Sequence, residues 1–117
     1  MKVKIVTAAA IALAFISNPA AAAKAASGNE WVGYCKAGSP TCWTYARGVA
    51  DGLAVWEMIS PETATACIPQ AVDAAQLRDI GLQFIKDNPK DRHVPAGLLL
   101  AKAFMTTWPC SSNGKVS

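Results

Sequence analysis

Cys35, Cys42, Cys67 and Cys110 are the residues of this 117-residue chain whose type and spacing most directly suggest chemistry. Thiols can ligate zinc, exchange electrons or cross-link a chain, and spacing separates these roles. Structural zinc sites and dithiol redox sites draw on Cys-x-x-Cys pairs. No such pair occurs here. Cys35 and Cys42 are seven apart, and Cys67 stands far from both of its neighbours. An even number of cysteines in a short exported chain reads as a disulfide framework. Bridges are therefore expected, with no metal and no cofactor.

The other candidates for chemistry are weaker. His93 is the only histidine, in a charged stretch with Asp87, Asp91 and Arg92. A general base needs a nucleophile or a second polar group within reach, and this cluster reads better as a solvated turn. Gly48-Val49-Ala50-Asp51-Gly52 lies inside a helical pattern, so it is not a phosphate loop. The serines have no nucleophile-elbow setting. No catalytic residue is assigned, and the chain is expected not to be an enzyme.

The disulfide reading requires export, and the N-terminus supplies it. Lys2 and Lys4 give a basic start. Ile5 to Ile16 is uncharged and apolar except for Thr7, and small residues follow through Ala20–Ala23. This is the pattern of a secretory signal peptide covering 1–23, with cleavage at about 23–26. Twelve residues reach about 18 Å as a helix, short of a bilayer core of roughly 30 Å. An exported domain over 24–117 is expected. Removing Lys2 and Lys4 lowers the formal charge from +3 to +1, nine basic residues against eight acidic ones. A nearly neutral domain without charge runs excludes a basic nucleic-acid surface. No second apolar stretch is long enough to span a membrane.

The mature chain reads as helical throughout. A short helix is expected over Trp31–Cys35, after a loose lead-in at 24–30. Gly38, Ser39 and Pro40 make a turn. From Thr41, read as an N-cap, to Glu57, apolar residues recur at three and four (Cys42, Tyr45, Ala46, Val49, Ala50, Leu53, Ala54, Trp56). Residues 58–72 form a connector with Pro61 and Pro69. Asp73 and Gln76 make a capping-box pattern for a third helix with Leu77, Ile80, Gly81, Phe84 and Ile85 on one face. Asn88-Pro89 ends it. Pro95 suits the start of a fourth helix bearing Leu99 or Leu100, Ala103, Phe104 and Trp108 on one side. The expected fold is all-α, a small disulfide-bonded bundle of three main helices plus a short N-terminal one. If the helices run up and down, Cys35 meets Cys42 at one end and Cys67 meets Cys110 at the other. The rival pairing, Cys42–Cys67 with Cys35–Cys110, stays open.

Two features of the second helix point outward. Gly48 and Gly52 share a face and cost roughly 2 kcal/mol of helix propensity relative to alanine. Either another helix of the same chain packs closely there, or a second copy does. Trp43 and Trp56 lie off the centre of the apolar stripe, and tryptophan is enriched at protein interfaces. Trp43, Trp56, Gly48 and Gly52 are thus the candidate interface.

Taken as a set, these residues resemble a known family. The string is Cys35, then Cys42-x₅-Gly48-Val49-Ala50-Asp51-Gly52, Cys67-Ile68-Pro69, Ala75-Gln76-Leu77-Arg78, Asp87-Asn88-Pro89, His93-x-Pro95-Ala96 and Trp108-Pro109-Cys110. It resembles the Rap/Tai family of type VI secretion immunity proteins over nearly the whole mature chain. Where the usual signature has an aromatic-glycine step after the second cysteine, this chain has Trp43-Thr44-Tyr45-Ala46-Arg47-Gly48. The resemblance implies an exported, helical, disulfide-bonded protein, often dimeric, that binds a peptidoglycan-cleaving effector such as an amidase. Occlusion by a loop within 58–72 or 87–94 would be the mechanism. The alternative is a periplasmic helical stress or chaperone-like protein, recognisable by suppression of client aggregation at acid pH.

Overall fold

A computed structural model of the chain describes residues 24–111. The expected leader, 1–23, and the polar tail from 112 lie outside the described residues. The described chain holds four α-helices: α1 (Gly28–Lys36), α2 (Pro40–Ile59), α3 (Ala74–Asp87) and α4 (Ala96–Thr107). Single 3₁₀ turns, Pro61–Thr63 and Pro89–Asp91, follow α2 and α3. No described helix is long and apolar enough to cross a membrane.

Local chemistry sets each helix end. α1 starts three residues before the expected Trp31, because Ser27 caps it by accepting a hydrogen bond from Glu30 N at 3.1 Å. Ser27 and Glu30 are three apart, as in a capping box. α2 is capped by Ser39, not Thr41. The Ser39 hydroxyl accepts from Thr41 N at 3.2 Å, and Pro40 takes the first helical position, where its missing N–H costs nothing. The turn before it needs a left-handed residue, which is Gly38 at φ 68°. Asp73 caps α3 through Gln76 N at 2.8 Å, and Asn88 ends it. Pro95 stands just before α4 as its N-cap rather than inside it.

α2 is the central element and touches each of the other three helices. The core holds Trp31 of α1, Cys42, Ala46 and Ala50 of α2, Leu77 and Ile85 of α3, and Leu99, Leu100, Ala103 and Phe104 of α4. Among the described residues no polar or charged side chain is buried. Small alanines line the inner side of α2, so neighbouring helices approach it closely. The Trp31 indole fills the resulting space and donates its Nε1–H to the carbonyl of Cys42 at 2.8 Å.

The sulfurs pair Cys35 with Cys42 and Cys67 with Cys110. The simple up-and-down picture needs one revision. Ile68, Pro69, Gln70 and Val72 of the connector run back along Arg47, Ala50, Asp51 and Ala54 of α2. Arg78 of α3 thereby stands beside the Cys35–Cys42 bridge. The connector is held in place by the second bridge and by Cys67 N, which donates to the Trp108 carbonyl at 2.8 Å.

Gly81 is where α3 comes closest to its neighbours. A Cβ there would collide with Leu100 Cδ2 and lie 2.9 Å from Trp31 Cη2. Gly81→Ala should therefore cost about 1–3 kcal/mol through overpacking, despite its better helix propensity. Urea unfolding of the oxidised protein measures this. An unchanged or raised midpoint would refute the close-approach account.

Candidate functional site

The outer face of α2 is built by periodicity. Cys42, Ala46 and Ala50 point into the core. Gly48, Gly52, Val55 and Ile59, spaced four, three and four, fall together on the opposite side. That spacing is the pattern of a helix-packing seam, yet nothing in the described chain covers it. A Cβ placed on Gly48 or Gly52 would meet no atom within 4 Å. Ile59 is 70% exposed, Met58 82% and Val55 51%.

Of the two readings of the glycine pair, packing against another helix of the same chain is not found among the described residues. The core takes the alanine side of α2, and the glycine side faces solvent. Gly48 and Gly52 are brought together on one face, and Trp56, four residues after Gly52, borders it. Trp43 is not part of that group. It lies thirteen residues before Trp56, on another flank of the helix, beside Cys35, Cys42 and Arg78. Both rings are about half exposed, at 46% and 50%.

The apolar stripe expected to be buried was also too wide. Ala54 and Trp56 are exposed, because α2 offers only a narrow strip to its three neighbours. Conversely, Val55, Met58 and Ile59 were not singled out from the sequence. Extending the Gly48–Gly52 spacing by two further turns reaches Val55 and then Ile59. Ile59 and Met58 lie beyond the expected helix end at Glu57, two residues short of the observed end, whereas Val55 lies within it.

Electrostatics on this helix are mild. Arg47 and Asp51 form an exposed i,i+4 ion pair at 3.0 Å, worth roughly 0.3–0.5 kcal/mol. His93 is exposed in the turn after α3. Among the described residues no group of three or more His, Cys, Asp or Glu could hold a metal ion. Among the described residues, the outer side of α2 is thus an uncovered apolar helix face.

A family model described as Rap1a immunity proteins matches residues 27–110, spanning all four helices and both bridges. The chain belongs to that family. No curated protein and no solved structure matches it.

The tryptophans separate scaffold from surface. Trp31→Ala should cost about 3–5 kcal/mol, because it empties the core. Trp56→Ala should cost less than about 1 kcal/mol. Paired denaturation curves test this, and equal losses would place Trp56 in the core after all.

Proposed function

From its membership in the Rap1a immunity proteins, we propose that this chain is a periplasmic immunity protein that binds a peptidoglycan-cleaving effector of type VI secretion. It acts stoichiometrically, by occlusion and without turnover. What carries this reading is the family match across the whole bridged domain. The two disulfides support a destination outside the cytoplasm, where such bridges persist. Residues 1–23 would supply the export signal, with 24–117 as the mature domain.

The experiment is rescue. Each neighbouring open reading frame, and a panel of peptidoglycan-cleaving amidases, is expressed in the periplasm with and without this chain. The full-length chain should protect cells, and a form lacking 1–23 should not. Lysis regardless of the chain, or equal protection by the leaderless form, would count against the reading.

A second copy of the chain is the proposed cover for the outer face of α2. Its seam is self-complementary. In an antiparallel two-fold pairing, Gly48 of one copy meets Ile59 of the other, and Gly52 meets Val55. Each large side chain enters a space left by a glycine, and Trp56 borders the contact. Isologous pairing of this kind is the commonest way for a chain to dimerise. The mature protein should run as a dimer in light scattering. Gly52→Leu, which has open space around it, should stay folded and run as a monomer. A wild-type monomer at high concentration, or a dimeric Gly52→Leu variant, would remove this contact.

A further inference from the structure

A groove of about 380 Å³ lies between α1, α3 and the turn after Asp91, sharing no residue with α2. Its floor is apolar, from Val32, Leu82 and Ile85. Three cations, Lys36, Lys86 and Arg92, stand along it, and no acidic side chain lines it. Among the described residues these cations make no ion pair; the two pairs present are Arg47–Asp51 and Arg78–Asp79. In a mature domain of net charge +1, this is a local concentration of positive charge.

The groove is a fixed feature. On α1, Asn29, Val32, Gly33 and Lys36 follow the i, i+3, i+4, i+7 spacing of one helix face. Ile85 belongs to the core. The turn bearing Arg92 is clamped to the start of α1: Asn29 N donates to the Arg92 carbonyl and Gly28 N to that of Val94, both at 3.0 Å. Gly28 makes that approach possible, since a Cβ there would lie 2.9 Å from the Arg92 oxygen. Gly33 keeps the groove open, because nothing occupies the space its side chain would take.

We infer that this groove receives an acidic segment of a partner protein, anchored by one apolar side chain. Naming a protein as the occupant rests on the binding role proposed above. Cations without acids select negative charge, and the apolar floor selects an anchor that a bare phosphate or a polysaccharide lacks. The volume lies at the small end of ligand sites, roughly 300–1,000 Å³, which suits an anchor side chain and its neighbours. Because α2 contributes nothing to the groove, a dimer formed through α2 leaves it available.

The test uses the full mature protein and a labelled short peptide of aspartate and glutamate around a central Leu-Phe pair, followed by fluorescence anisotropy. Binding should saturate and weaken as salt is raised above ~0.1 M, where charges more than about 10 Å apart are screened. The reversal K36E/K86E should lower affinity by about tenfold or more. Gly33→Leu should abolish binding while circular dichroism shows an intact fold. A peptide with lysines for the acids, or with serines for Leu-Phe, should not bind. Equal binding of either control, undiminished binding to Gly33→Leu, or no binding of the acidic peptide would overturn the inference. Displacement of the peptide by dodecanoate at far lower concentration would assign the groove to a small amphipathic anion instead. The rescue assay separates the two claims. If the wild type protects and Gly33→Leu protects equally, the groove fails and the immunity reading stands. If the wild type does not protect, the immunity reading fails and the peptide titration still decides the groove.

Discussion

The position of the Trp31 ring is the constraint on which the other packing choices depend. It is fully buried, so its N–H needs an acceptor inside the protein, and the Cys42 carbonyl provides one. That bond fixes α1 against the first turn of α2. The Cys35–Cys42 bridge fixes the same two segments covalently. With the ring held from one side, α3 can pass only where it has no side chain, at Gly81. Leu100 of α4 closes over the same point. One indole thus sets the spacing of all four helices. A leucine there would satisfy burial but would neither reach Gly81 in the same way nor bond to α2.

The glycines divide by what surrounds them. Gly28 and Gly81 are glycines because backbone or ring atoms occupy the place of a side chain. Gly38 is one because the turn requires a positive φ. Gly33, Gly48 and Gly52 have open space, so nothing in the folded chain demands them. Alanine would serve the helices better by about 1 kcal/mol at each position. Gly33 borders the groove, and Gly48 and Gly52 lie on the outer face of α2.

Much of the fold was legible because helix signals are local. The capping pair Asp73 and Gln76, the Asn88-Pro89 stop, and the apolar face of α3 all act within a few residues of each other. The sequence-based reading of α1 began at Trp31 because Ser27 was counted with the polar lead-in, although Ser27 and Glu30 form the same kind of cap. The course of the connector was not legible. Its return along α2 depends on contacts between residues twenty or so apart, which no periodicity reports. The glycine pair shows the same boundary. Its cost and shared face could be read from spacing, but which side faced the core depended on where three other helices landed. The groove was invisible for a similar reason. Lys36, Lys86 and Arg92 come from three elements, gathered by the clamp between Asn29 and Arg92 and by the packing of Trp31 against Gly81.

The bridges and the outward face of α2 are linked energetically. Two solvent-facing glycines give up roughly 2 kcal/mol of helix stability, and exposed Val55, Met58 and Ile59 gain nothing from the core. In the chain-entropy model, closing a loop the size of Cys67–Cys110 contributes about 4 kcal/mol, and the short Cys35–Cys42 loop about 2.5 kcal/mol. These contributions are of the size needed to keep such a face in a domain with a small core. The two cross-links thus offset what α2 gives up by keeping apolar residues turned away from its own interior.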